Sequence, residues 1–391
     1  MKKTIALLIA VIMLFSLLAA CAGDTPAPAA APDAPAEPPG GDAPITGDVS
    51  ITANEIGLFF DGVDPFSRRT YDIVLSYMRP MPLWQNVLDA LVEWEAVFNF
   101  NTIEFNANGD IDFLLQNIEI FAAQGVDGFL IVIDATATER IVEVLDSTGL
   151  PYIAMLNSAR DEQGRSIAPT VGIEGVEAGR QITRWLYDNH TYFWGEIDTS
   201  AIGLLNFDFS PNADFHDRHN GALAMFQELL PNNAGIFPAD GVTGGLNEQT
   251  GFDLASAILA ANPQVEYWFI PSTFEHYAQG AARAVDSLGM SDRVLITSVA
   301  VDILTAAWDA GYEGRSYVGG LAFCPLQYTA PAISGLIALI NGTATAETLW
   351  SHRRLPTDIY TFFEIESEIV TRDKYQDFFA RVRAASGLPE R

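Results

Sequence analysis

His216 and His219 stand three residues apart in the run Asp214–Phe226, and His276 follows the run EYWFIP. On a helix, His216 and His219 would lie near one face, but the set lacks the spacing of a zinc protease or a structural zinc site. Gly241, Gly244 and Gly245 do not make a phosphate loop, because the following lysine and serine or threonine are absent. There is no G-x-S-x-G elbow. Cys324, between Phe323 and Pro325, reads as a buried and inert thiol. No nucleophile and base cluster together, so neither an enzyme nor a bound metal or cofactor is expected. The chain offers instead polar and aromatic side chains at the ends of apolar runs. In its first part these are Trp84, Asn106, Asp134, Asn157 and Arg160; in its second they are Asn206, Asp208, Arg218, Ser272, Thr273 and Glu275. Amides that donate and accept, a rigid guanidinium fork and a flat ring suit a hydroxyl-rich ligand. Asn106 and Asp134 serve equally as turn or capping residues, Trp84 as a lip or core residue, and Arg218 as an ordinary surface charge.

The elements that must position these groups begin at Tyr71–Asn157, where strand-like runs alternate with longer apolar-periodic segments. YDIVLSYM, NTIEFNA, VDGFLIVID and LPYIAMLN are nearly continuous apolar runs, as in a parallel sheet covered on both faces. Gly125, Gly149 and Pro151 fall where a helix should stop and a strand begin. Repeated right-handed βαβ crossovers give a doubly wound sheet, with ligands at the carboxyl ends of its strands. Pro169–Ile173 reads as a fifth strand, and from Thr199 the same alternation starts again. The expected fold class is therefore α/β, with two similar three-layer lobes. The first strand is expected at Tyr71–Met78, opening onto Arg79–Trp84, where Pro82 suits the first turn of a helix.

The body is acidic: 50 Asp and Glu stand against 21 Lys and Arg, a formal charge of −29. Such a surface repels nucleic acid. Lys2 and Lys3, the apolar run Thr4–Leu18 and the small residues before Cys21 form an export signal rather than a membrane span. LAAC at Leu18–Cys21 resembles the lipobox of bacterial lipoproteins, which implies cleavage before Cys21 and lipidation of its thiol. Residues 22–44 are rich in proline and alanine, almost without large apolar side chains, and read as a disordered tether. Residues 45–70 are an extension of uncertain placement.

From Tyr71 to Phe379 the chain resembles the type I periplasmic binding proteins, in particular the sugar-binding branch served by ABC importers. Met81-Pro82-Leu83-Trp84 stands where that family opens its first helix with N-P-F-F, so the resemblance implies ligand contact by Met81 and sugar stacking by Trp84. Ala122–Ile131 resembles the second helix entering the third strand, and Val171–Arg180 the first crossing between lobes. Arg218-His219-Asn220-Gly221-Ala222 is similar to the R-x-x-G-F pattern whose arginine binds ligand. Asn157-Ser158 stands at an Asp-Arg pair, with Arg160 nearby to supply the lost guanidinium. Ser272–Glu275 and Ser298-Val299-Ala300 replace the family's Asn-Asp and Gly-Phe-Asp, and Phe323 falls near a polar hinge position. The resemblance implies lobes at 71–173 plus 324–351 and at 174–323 plus 352–391, joined near Ile173, near Phe323 and near His352–Thr357. It also implies a monomer that captures a small polar ligand, a sugar first of all, and hands it to an ABC permease, held outside the cell membrane by its lipid. The alternatives are an extracytoplasmic sensor for a membrane receptor or kinase, and a binder of nucleosides or amino acids.

Overall fold

The computed structural model describes residues 64–388; the signal, the lipobox, the tether and residues 45–63 lie outside the described residues. Tyr71–Tyr77 (β1) is flanked in parallel by Phe100–Asn106 (β2) and Gly128–Ile131 (β3). Tyr152–Leu156 (β4), Thr170–Gly172 (β5) and Phe362–Glu364 (β11) extend this first sheet, giving the order β11-β5-β4-β3-β1-β2. The second sheet holds Ile202–Asp208 (β6), Gly235–Asp240 (β7), Tyr267–Ser272 (β8), Val294–Val299 (β9), Tyr317–Ala322 (β10) and Glu368–Val370 (β12). Its order, β12-β10-β9-β8-β6-β7, repeats the first, so β6 corresponds to β1 and β9 to β4. Only the last strand differs in sense: β11 is parallel to β5 and β12 antiparallel to β10. Every residue of β6, β9 and β3 is buried. Burial on both faces explains why their sequences run apolar without alternation.

The helices are Pro82–Phe98 (α1), Ile111–Gln124 (α2), Thr138–Thr148 (α3), Gly175–Trp194 (α4), Ala213–Leu229 (α5), Glu248–Ala261 (α6), Glu275–Ser287 (α7), Asp302–Asp309 (α8), Pro325–Ile340 (α9) and Tyr375–Ser386 (α10). Gly125 and Gly149 end α2 and α3 in the left-handed conformation, where a glycine avoids the Cβ clash. A sharper constraint joins α4 to α5. A Cβ on Gly179 would lie 1.9 Å from the Arg218 carbonyl oxygen, and one on Gly221 would lie 1.9 Å from that of Val176. The two backbones therefore touch, and this fixes where α5 carries Asp214 and Arg218.

The chain passes between sheets after β5, at Ile173–Glu174, and after β10, at Phe323–Cys324. The third passage corrects the expectation of a crossing near His352–Thr357. That segment is followed by β11, which pairs with β5 in the first sheet, so the chain crosses at Ile365–Ser367. Three residues suffice for an edge strand, too few to show a period in the sequence. The last helix, α10, spans both lobes. Tyr375 packs against Trp308 of α8 and donates to Asp309, while Arg383 pairs with Glu93 of α1. No described helix is long and apolar enough to cross a membrane.

Candidate functional site

Hydrogen bonds set the loop after β4 against the start of α5, which follows β6, and the start of α1, which follows β1, against the loop after β9; the polar groups gathered there are mostly from the second lobe. Arg218, one helical turn after Asp214 on α5, donates from Nη1 to the Thr273 carbonyl at 3.0 Å, just beyond β8. Its guanidinium carbon lies 4.9 Å from the Phe215 ring centre, and Phe215 in turn packs on Phe274. Burial lowers the Arg218 pKa to about 10, with Asp214 acting in the opposite sense. Its Nε and the Thr273 hydroxyl are buried without a hydrogen-bond partner among the described residues. Thr273 and Ser272 are fully buried, and Ser272 spends its hydroxyl on the Phe274 carbonyl at 2.7 Å. Glu275 is 5% exposed and accepts from the Leu304 N–H at 2.8 Å, at the start of α8. Burial, then the neighbouring Asp302, push its carboxyl up to about 8.

Asn206 and Asp208 lie on β6 below this group. Asn206 is fully buried and donates to the His219 carbonyl at 3.0 Å, tying strand to helix. Asp208 meets His216 Nδ1 at 2.8 Å; one oxygen of each acceptor side chain, Asn206 Oδ1 and Asp208 Oδ1, has no hydrogen-bond partner among the described residues. The His216 and His219 rings stack at 5.9 Å, and no group of three or more metal-binding side chains occurs among the described residues.

In the first lobe the structure changes several assignments. Trp84 is 6% exposed, stacks on Tyr77 with centroids 4.6 Å apart, and donates Nε1 to the Arg79 carbonyl at 2.8 Å. With only 6% of its surface exposed and its one donor satisfied, the ring packs into the core and leaves little surface for the sugar stacking expected of Trp84, which is corrected on that ground. Met81, the residue before α1, packs partly buried against the same core. Asn106 accepts from the Asn108 N–H at 2.9 Å, and Asp134 accepts from the Thr136 N–H at 2.9 Å and its hydroxyl at 2.5 Å. Both are turn formers in this conformation. Asn157 donates to the Ile133 carbonyl at 3.0 Å, bracing the loops after β3 and β4.

Arg160 is the clearest displacement. It donates to the Gly164 carbonyl at 2.7 Å, lies 3.8 Å from Asp358 and stands over the Phe362 ring. It lines a separate groove of about 490 Å³ beside the crossings, together with Glu174, Arg353, Glu364 and Glu368. The arginine therefore makes its direct contacts on the hinge side, while its charge still acts on Asp214 at the start of α5. Phe323 is buried at the second crossing, 6.3 Å from the Tyr328 ring. Cys324 beside it is a buried free thiol, and burial pushes its pKa up to about 12.

Besides the Glu93–Arg383 pair, four residues that the sequence did not single out as site groups join the lobes at the strand ends. The Ser158 N–H, after β4, donates to Asp214 on α5 at 3.1 and 3.3 Å. Asn86 on α1 donates to Asp302, after β9, at 3.0 Å. The pairs are separated by 56 and 216 residues, so nothing local in the sequence signals them.

The periplasmic binding protein domain matches residues 74–320 of this chain, well over half its length. The chain belongs to the periplasmic binding protein family. Its folded body accordingly works outside the cytoplasm, and its activity is binding rather than catalysis. Over 240 residues it is 25% identical to the ABC transporter L-arabinose-binding periplasmic protein of Azospirillum brasilense, an alignment covering 58% of this chain and 68% of that one. Its fold matches that of a periplasmic solute binding protein from Actinobacillus succinogenes with bound D-allose (TM-score 0.60, 16% identity, 79% of this chain and 100% of that one). It also matches a solute binding protein from Bacillus halodurans with bound myo-inositol (TM-score 0.61, 17% identity, 80% and 98%). These two likenesses fix the two-lobed architecture of this binding protein.

Proposed function

We propose that this binding protein captures a small polyhydroxylated solute, a sugar, between its lobes and delivers it to an ABC importer while a lipid on Cys21 holds it at the membrane. The observation that carries the reading is the pair of partnerless buried groups beside the cleft, Arg218 Nε and Thr273 Oγ1. A buried polar atom without a partner costs about 1–3 kcal/mol, so a ligand oxygen that supplies the partner binds with that much in its favour. Arg218 donates to a hydroxyl oxygen, and Thr273 both donates and accepts. Asn157, anchored through its amide nitrogen, keeps Oδ1 as an acceptor from the first lobe. Phe215 and Phe274 supply apolar surface beside them. The ligands named for the relatives, L-arabinose, D-allose and myo-inositol, share this hydroxyl-rich chemistry.

No step of covalent chemistry enters. A ligand that contacts both lobes favours the closed state by its differential affinity and holds the lobes in the form a permease meets. The lipobox at Leu18–Cys21 and the proline-rich composition of residues 22–44 support an anchored body held off the bilayer. The test is a thermal-melting panel of the protein against L-arabinose, D-allose, myo-inositol, nucleosides and amino acids, followed by calorimetry of any that stabilise it. A ligand at a hundred times its Kd adds about 2.7 kcal/mol to stability. A shift from a sugar or cyclitol alone supports the proposal; a shift from a nucleoside or amino acid alone overturns it.

A further inference from the structure

The outer edges of the two sheets are built differently. β2 closes one side of the first sheet and β7 the corresponding side of the second, and among the described residues neither has a neighbour beyond it. A strand edge offers unpaired N–H and C=O groups to another chain, and proteins blunt it with proline, charge or cover. β7 carries Pro238, which has no N–H to offer. β2 has no proline. Its Thr102 N–H points away from β1 and is taken by the Glu95 carboxylate of α1 at 2.8 Å. The Ala107 N–H points inward, to the Tyr77 carbonyl of β1. Backbone groups alternate in direction along a strand, so the amides of Glu104 and Asn106 face outward with that of Thr102.

Apolar side chains flank this edge on both faces. Val92 of α1, about one turn before Glu95, is exposed. On the other face Phe113 of α2 is exposed, its ring 5.4 Å from that of Phe105 on β2. Ile120, two turns further along the same face of α2, is exposed as well. A free backbone edge between two apolar stripes is the surface that an added strand covers.

The described chain begins at the amino end of β2. Pro65–Ser67 is a short 3-10 turn held there: Asn99 donates to the Pro65 carbonyl at 2.9 Å, and Arg68 to the Asn99 carbonyl at 3.1 Å. Shortly before it the sequence reads Asn54-Glu55-Ile56-Gly57-Leu58-Phe59-Phe60, followed by the turn dipeptide Asp61-Gly62. We propose that the outer edge of β2 is the docking site of the chain's own segment Asn54–Phe60, laid antiparallel to β2. A chain that must arrive at the amino end of β2 runs along its edge from the carboxyl end. The segment brings one charge, Glu55, and β2 presents only Glu104, whose carboxylate already accepts from the Tyr77 hydroxyl. Backbone bonds and apolar cover, not charge pairing, therefore hold it.

The consequence concerns the anchor, and rests on the lipidated binding protein proposed above. With the segment docked, the tether leaves the body at the carboxyl end of β2, about 20 Å from Asp64. That is the side of the first sheet from which the interlobe contacts arise. The lipid then holds the cleft toward the membrane, where a permease meets it.

Hydrogen exchange read by mass spectrometry tests the docking on the chain from residue 21, with Cys21→Ser in place of the lipid. The outer amides of β2, Glu104 and Asn106, should exchange about tenfold slower in this chain than in the same chain carrying Leu58→Pro, because proline removes a donor and interrupts the added strand. Circular dichroism checks that the variant keeps its fold. Paired spin labels give an independent reading of direction. A label on Thr52→Cys should lie nearer one on Asp112→Cys, beside the carboxyl end of β2, than one on Asn101→Cys at the amino end. Equal exchange in the two chains, or a Thr52 label nearer position 101, overturns the proposal. Protection of β2 that disappears on dilution assigns the edge to a second copy of the chain and overturns it too. No solute is present in either measurement, so failure here leaves a sugar-induced melting shift untouched.

Discussion

Replacing Trp84 by alanine separates a packing residue from a ligand platform. The indole is 6% exposed, stacked on Tyr77 and bonded to the Arg79 carbonyl. Removing a buried tryptophan side chain costs about 3–5 kcal/mol through lost transfer energy and the cavity left behind. The stacked pair accounts for about 0.5–1.5 kcal/mol beyond burial, and a carbonyl that loses its donor adds to the cost. A loss of about 4 kcal/mol in a lobe of this size lowers Tm by roughly 8–16 °C. The assay is urea unfolding of wild type and Trp84→Ala, with the slope compared to confirm two-state behaviour, then calorimetry on the folded variant at low temperature. The expected outcome is a large drop in midpoint with sugar affinity within about threefold of wild type. A variant that keeps its midpoint within about 1 kcal/mol yet loses tenfold or more in affinity refutes the packing assignment.

Other outcomes follow from particular contacts. Arg218→Met keeps much of the side-chain volume but removes the donors to Thr273 and to ligand; hydrogen bonds to a charged group are worth about 1.5–3 kcal/mol, so affinity should fall roughly 10- to 150-fold by calorimetry. Gly179→Ala drives a methyl into the Arg218 carbonyl, so α4 and α5 must separate, and denaturant unfolding should show a loss of about 1–3 kcal/mol. The Cys324 thiol, buried and pushed up to about 12, should resist iodoacetamide at neutral pH until the protein is unfolded in urea, as read by mass spectrometry. Cys21→Ser should abolish incorporation of labelled palmitate in cells and release the protein from the membrane fraction.

The sheet was legible because strands buried on both faces write unbroken apolar runs, as in VDGFLIVID, and because Gly125 and Gly149 mark helix ends by their backbone conformation. The repeated order of elements was visible for the same reason. β11 was not, since three residues carry no period and its pairing with β5 joins positions nearly two hundred residues apart. Side-chain roles were harder to read than elements. A tryptophan at the mouth of a sheet looks the same whether it faces a ligand or a neighbouring tyrosine; Tyr77 decides it, and only the folded backbone brings Tyr77 against it. Arg160 reads as a cleft cation from its place after β4, yet the loop turns it toward Asp358 and Phe362. Arg218 and Thr273 were visible because both stand at the carboxyl end of the second sheet, and the fold brings them together. Asp214 and Asp302 look like ordinary first-turn acids, favourable at any helix start. Their reach across the cleft is a property of two strained loops, at Leu156 and Ala300, that composition does not reveal.

A crystal structure of the protein soaked with whichever sugar raises its melting temperature most tests the account at its centre. The sugar should lie between the lobes, its oxygens within hydrogen-bond distance of Arg218 Nε and Thr273 Oγ1, with the Ser158–Asp214 and Asn86–Asp302 contacts closed around it. Sugar bound instead in the groove of Arg160 and Arg353 beside the crossings, with the interlobe face empty, would contradict it.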